Sequence, residues 1–183
     1  MSLKLSQRFF VLVILLLGYA VSPAQKFTAE RGELSFFSDG IVEDIEAKNG
    51  QVGSLFDAGN GEVVFIAKIR DFVFAKSLMR EHFNEKYMET EKFPKATFQG
   101  KLVGARAGAA GEQKVRAVGK LNMHGVTRDI DVPGTVEFNA GKVTTRSRFK
   151  IKLEDYSIKI PTLVWQNIAE EVEVRVDFTY KPI

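Results

Sequence analysis

Lys142-Val143-Thr144-Thr145-Arg146-Ser147-Arg148-Phe149-Lys150-Ile151-Lys152 alternates strictly. Val143, Thr145, Ser147, Phe149, Ile151 and then Leu153 share one side, and Lys142, Arg146, Arg148, Lys150 and Lys152 share the other. Period two with one wet face is the mark of an antiparallel strand. The pattern recurs on both flanks. Val115, Ala117, Gly119, Leu121 and Met123 form one such row, and Ile130, Val132, Gly134, Val136 and Phe138 a second. Val172, Val174, Val176, Phe178 and Tyr180 form a third, opposite Glu171, Glu173, Arg175 and Asp177. Several such strands in succession without a helix between them predict an all-β sandwich or barrel. The apolar rows are unusually small, with Gly100, Ala117, Gly119, Gly134, Thr145 and Ser147 where a self-filling sheet carries Leu, Ile and Phe. A closed sheet lined this way leaves room for an apolar ligand, unless large side chains from elsewhere plug the gap.

The basic stripe from Lys142 to Lys152 and the acidic stripe of Glu171, Glu173 and Asp177 predict neighbouring strands joined by opposite charges. Upstream, Phe27–Asp39, Ile41–Ala47, Gln51–Asp57 and Glu62–Ile69 read as short strands. Asn49-Gly50 is a hairpin signal between the second and third. Ser77–Thr90 changes period: Leu78, Met79, His82, Phe83 and Tyr87 fit one face of a three- to four-turn helix, with Ser77 as its cap. Phe93-Pro94 ends it. Ala96–Val103 alternates again, with Ala96, Phe98, Gly100 and Leu102 on one side. Gly104–Gly111 is a loop of small residues that joins two strands and fits no nucleotide-binding fingerprint. Asp155–Glu170, with Tyr156, Pro161, Leu163, Val164, Trp165 and Ile168, is a connection apolar enough that it must fold over something.

The chain opens like an export signal. Lys4 and Arg8 precede an apolar run from Phe9 to Val21, and Ser22-Pro23-Ala24 supplies small residues for cleavage after Ala24. The alternative is an uncleaved anchor. Cleavage divides the chain into a signal peptide, 1–24, and one domain, 25–183, whose 183 − 24 = 159 residues suffice for one core. Export predicts a periplasmic or secreted protein. There is no Cys, so no disulfide and no lipidated Cys supports it. Of 26 Lys and Arg, Lys4 and Arg8 lie in the leader, which leaves 24 against 23 acidic side chains, too near balance to indicate a nucleic-acid partner.

Catalytic chemistry finds little support. The two His, His82 and His124, lie far apart and neither belongs to a metal-ligand spacing. Gly-x-Ser-x-Gly is absent, and adjacent carboxylates such as Glu43/Asp44 point apart on a strand. No set of nucleophile, base and oxyanion donors emerges, so neither an enzyme nor a metal site is expected.

Two segments resemble a known family. Lys92-Phe93-Pro94-Lys95-Ala96-Thr97-Phe98 and Gly119-Lys120-Leu121-Asn122-Met123-His124-Gly125-Val126-Thr127-Arg128 are similar to the K-[YF]-P-x-[IA]-x-F and G-x-L-x-[IM]-H-G-V-T-[KR] motifs of the YceI-like family of exported bacterial proteins. The likeness covers roughly Glu62 to Tyr180. Arg80-Glu81-His82-Phe83 looks like a shortened form of that family's R-D-x-H-L, and its early F-x-G-x-F has no clear match. The resemblance implies an eight-stranded antiparallel lipocalin-like barrel with one short α-helix near a mouth. It also implies binding, sequestration or transport of a polyisoprenoid-like amphiphile in the lumen.

The candidate ligand contacts follow. Leu78, Met79, Phe83 and Tyr87 on the helix, Phe98, Ala117, Gly119 and Phe149 on strands, and Tyr156 and Trp165 on the long connection would line lumen and mouth. Lys159 and Arg80 are candidate cations for a head group. No cofactor is expected beyond a bound isoprenoid lipid or quinone, and transient contact with a membrane fits such a cargo. The alternative is a stress-related or protein-interaction barrel whose lumen is collapsed.

Overall fold

Lys26–Ser38 (β1) opens a sheet that closes on itself. The computed structural model describes residues 26–40, 43–160 and 169–183; the expected signal peptide, 1–24, lies outside them. The strands that follow are β2 (Ile45–Asn49), β3 (Gly53–Asp57), β4 (Glu62–Lys68), β5 (Val73–Phe74), β6 (Lys95–Val103), β7 (Glu112–Met123), β8 (Val126–Asn139), β9 (Lys142–Lys152) and β10 (Glu171–Pro182). Every pairing is antiparallel, β6 to β10 form a meander of consecutive strands, and β10 pairs with β1 to close the ring. Closure removes the sheet edges that would otherwise invite aggregation.

Ten segments fill eight strand positions. β2 and β3 lie along the same side of β1 in one continuous register, with Leu34 opposite Asn49 and Thr28 opposite Leu55. β4 and β5 follow them on the far side. Asn49-Gly50 is therefore not a hairpin turn. The Asn49 side chain is fully buried, accepts from the Gln51 backbone N–H at 2.8 Å and donates to the Lys68 carbonyl at 2.9 Å. An Asx turn bends the chain with the same residues that reverse it. Here pairing to β1 on both sides of the bend keeps the direction, so the strand only turns a corner.

The charged stripes behave as expected. Glu171 faces Lys152 and Glu173 faces Lys150 across β10–β9. Ion pairs join them: Arg148 reaches diagonally to Glu173 at 2.7 Å, and Arg146 meets Asp177 directly opposite at 3.2 Å. Arg116–Asp131 and Lys120–Asp129 continue the ladder over β7 and β8. These pairs are exposed and hold the outer face in register more than they stabilise it.

Helix α1 (Ser77–His82) is shorter than its periodicity predicts. It widens into a π-helical turn, Phe83–Tyr87, in which the Met88 N–H donates to the Phe83 carbonyl at 2.9 Å. Lys76, not Ser77, occupies the cap position, and no side chain caps the helix. One face of the apolar stripe is thus kept while its backbone is respaced, as π-turns commonly do beside functional surfaces.

Candidate functional site

The two ends of the barrel differ. At one end Phe27, Phe56, Phe178 and Tyr180, all nearly inaccessible, pack with Val63, Val136 and Val143 into a floor, with Phe138 against them. The rings of Phe56 lie 6.1 to 6.3 Å from those of Tyr180, Phe27 and Phe138. The Ser54 hydroxyl, which donates to the Val64 carbonyl at 2.8 Å, lies 2.8 Å from the Tyr180 hydroxyl and accepts from it. Burial pushes the Tyr180 phenol up to about 12, with the Ser54 and Thr145 hydroxyls pulling weakly the other way.

Above this floor the lumen is hollow. The cavity is about 530 Å³, within the usual range for small-ligand sites, and is almost wholly apolar. Ala117, Gly134, Thr145 and Ser147 border it, as do Phe149, Val174 and Val176. Small side chains on β7, β8 and β9 therefore do open space. The glycines of β6 and β7 have a different cause. Gly100 and Gly119 sit directly opposite one another, and neither borders the cavity. A Cβ on Gly119 would collide with the Gln99 carbonyl, and one on Gly100 with the Val118 carbonyl. The two strands approach so closely there that only glycine fits. Gly119 is a packing residue and not part of the lumen wall.

The opposite end carries the mouth. Leu78, Met79, His82, Phe83 and Tyr87 of the helical segment border the cavity, as the apolar stripe predicts. Burial raises the Tyr87 phenol above its ordinary value. Phe83 is the centre of an aromatic cluster that sequence reasoning missed: its ring stacks on Phe36 at 5.4 Å and meets Phe74 at 4.9 Å and Phe72 at 5.6 Å. The signal was present in the two-residue spacing of Phe72 and Phe74, which carries a strand pattern up to the helix. At the rim Lys76 donates to both carboxylate oxygens of Glu43, at 2.6 and 2.7 Å.

Of the predicted contact residues, Leu78, Met79, Phe83, Tyr87, Phe98, Ala117 and Phe149 border one cavity. Tyr156 does not. It is buried in a satellite cluster with Ile69, Met88, Ile151, Ile158 and Val172, because the chain after β9 makes a tight 3₁₀ turn, Glu154–Tyr156, that folds the ring back onto those side chains. Its phenol is raised by burial first and by the Asp155 charge second, with Arg128 opposing. Trp165 lies outside the described residues. Arg80 borders a shallow polar groove with Arg70, Glu81 and Lys92, away from the lumen, and Lys159 does not border the cavity.

The second sequence motif forms the two-residue β7–β8 turn, in which His124 and Gly125 both take positive φ, 52° and 75°. A side chain on Gly125 would come within 2.6 Å of the Phe93 ring, so the turn and the Lys92-Phe93-Pro94 segment are fitted to each other. The His124 ring is buried 4.5 Å from Phe93. Its Nδ1 lies 3.0 Å from the Tyr156 carbonyl, which can only accept, so Nδ1 carries the hydrogen. Nε2 faces Glu89 Oε2 at 3.3 Å, near enough for ion pairing but out of line for a hydrogen bond. Lys92 first and His124 second hold the Glu89 carboxyl below its usual range. His124 thus fastens three connections at the mouth end.

The YceI-like domain pattern matches residues 19–180. The chain belongs to the YceI-like family. Its fold is shared by solved structures of low sequence identity. A polyisoprenoid-binding domain from Saccharophagus degradans, implicated in plant cell wall breakdown, superposes with a TM-score of 0.75 at 21% identity, covering 87% of this chain and 99% of that one. BcnA of Burkholderia cenocepacia gives 0.69 at 18%, covering 81% and 95%. The YCEI protein of Campylobacter jejuni gives 0.61 at 16%, covering 75% and 84%. No curated protein matches the sequence. In this YceI-like chain both recognisable motifs build the wall and the latch of the mouth end, and the cavity surface itself is contributed by residues outside them, apart from Ala96, Thr97, Phe98, Leu121 and Met123.

Proposed function

We propose that the protein binds a polyisoprenoid-like amphiphile with its tail in the lumen and its head at the α1 rim, and sequesters or carries it. The observation that supports this best is the 530 Å³ apolar cavity running from the aromatic floor to exposed Leu78 and the Glu43–Lys76 pair at the rim. A chain gains about 0.8 kcal/mol per buried CH₂, so ten such groups supply roughly 8 kcal/mol, a micromolar dissociation constant before the costs of association. The family and its polyisoprenoid-binding structural neighbour support the same ligand class. In this reading the protein is a binder and not an enzyme: exclusion of the tail from water does the work. The export signal fits a periplasmic or secreted carrier that meets membranes transiently. An interaction barrel with a collapsed lumen fits the open cavity poorly.

The test is native mass spectrometry of protein purified from its own host, followed by organic extraction. A reproducible added mass that extracts as a prenyl lipid is the expected result. A clean apo mass, with no uptake of prenyl quinones or prenyl alcohols on incubation, would refute the carrier reading.

A further inference from the structure

Few charged side chains surround the mouth. Among the described residues four acidic or basic positions border the cavity: Glu43, Lys76, His82 and Arg146. Arg146 belongs to the outward row of β9, and its guanidinium pairs outside with Asp177 and Glu112 at 3.2 and 3.4 Å. Only its backbone can face inward. Lys76 is held by both oxygens of Glu43. The remaining candidates, Arg80 and Lys159, do not reach the cavity. Residues 41–42, Ile-Val, and 161–168, Pro-Thr-Leu-Val-Trp-Gln-Asn-Ile, carry no charged side chain in the sequence.

A diphosphate at this rim would therefore meet the His82 imidazole and one ammonium group that Glu43 already pairs, with that carboxylate beside it. Binding would require loosening a two-pronged ion pair and leaving Glu43 against two like charges; the pair is half-exposed, so the like-charge contact opposes binding more than the lost pairing does. An uncharged head with a hydroxyl or carbonyl demands neither change. It can accept from the ammonium group, whose three donors exceed the two that Glu43 takes.

Resting on the lipid-binding reading above, we propose that the cavity selects amphiphiles with uncharged, hydrogen-bonding heads over prenyl diphosphates, and that Glu43 is the residue that sets this selectivity. Glu43 acts by occupying Lys76 and by repelling anions, without touching the tail.

Geranylgeraniol and geranylgeranyl diphosphate share one tail and differ only in the head, so their affinities isolate this effect. Binding is measured by isothermal titration below the micellar range of each. The wild type binds the alcohol at least about tenfold more tightly than the diphosphate, an effect of the size expected for one like-charge contact at a protein surface. Glu43→Gln frees the ammonium group and narrows that ratio about tenfold, by improving the diphosphate. Lys76→Met leaves an unpartnered carboxylate and widens it. Raising the salt concentration shrinks the differences, as screening requires. Both side chains are half-exposed at the rim, so the variants keep the barrel. Equal affinity of the wild type for both ligands, or a ratio that Glu43→Gln leaves unmoved, would overturn the selectivity alone. Failure of the wild type to bind either ligand would overturn the lipid reading and the selectivity with it.

Discussion

Ala117→Leu separates lumenal binding from every alternative. Ala117 borders the cavity on β7, between Leu102 and Val132 of the flanking strands. The substitution adds three methylene-sized groups, directed into the hollow. A tail that needs that space forfeits about 2.4 kcal/mol at 0.8 kcal/mol per group, or roughly a 50-fold loss of affinity. The protein itself does not suffer, because the new atoms fill existing space instead of displacing neighbours. Part of the dispersion energy that a void forfeits is recovered, so the thermal midpoint is expected to hold or to rise. The assay is a fluorescent prenyl-lipid displacement titration run beside thermal unfolding. Weaker binding with an unchanged or higher midpoint is the expected pair of results. Wild-type affinity in a well-folded Ala117→Leu protein would refute the reasoning, since no tail in the lumen could ignore it.

Other perturbations test the remaining parts. Gly119→Ala, although it adds one methyl to the same strand, places that methyl against the Gln99 carbonyl, and urea unfolding is expected to show a loss of about 1–3 kcal/mol; an unchanged midpoint would contradict the close strand approach. His124→Ala leaves the Tyr156 carbonyl without its buried donor and should cost about 1–3 kcal/mol in the same assay, while lipid selectivity stays as it was. Tyr180, whose phenol stands at about 12 in the folded chain against 10.0 in its unperturbed state, gives stability that is complete below about pH 10 and is lost as pH rises toward 12. Phenolate absorbance and circular dichroism followed together should show this loss, and Tyr180→Phe should abolish it; an alkaline transition identical in the variant would assign the effect elsewhere. Glu89, held low by Lys92 and His124, stabilises the mouth end above its unfolded value of 4.5, and this contribution is lost as the pH falls below that value. Hydrogen exchange of the residue 89–93 backbone between pH 6 and 3 should accelerate more than that of β8, and uniform behaviour would count against the latch.

Much of this molecule is legible without coordinates, for reasons visible residue by residue. Alternation in β7 to β10 has one cause, a single wet face, and so it places Val115, Val143 and Val172 inside and their charged neighbours outside unambiguously. The pairing of the Lys142–Lys152 stripe with Glu171, Glu173 and Asp177 follows because consecutive antiparallel strands lie side by side and their outward rows carry opposite charge. The helical stripe of Leu78, Met79, Phe83 and Tyr87 survives a change from α to π spacing, since a face needs only approximate periodicity. Local patterns failed where one residue type serves two purposes. Asn49-Gly50 suits a bend as well as a reversal, and only the shared register with β1 chose the bend. Glycine on an inward row can mean empty space or a crowded backbone; Gly134 borders the cavity, while Gly100 and Gly119 answer to each other.

Composition, period and the two motifs were thus enough to establish a closed antiparallel barrel of the YceI-like family with a helix at one end, because those features depend on the repeating geometry of strands and on short turns. Which end is floored by Phe27, Phe56, Phe178 and Tyr180, which aromatic rings gather around Phe83, and that Lys76 meets Glu43 across 33 residues of chain were settled only by tertiary structure. Those contacts join residues distant in sequence, and no local pattern records the closure of a ring that brings them together.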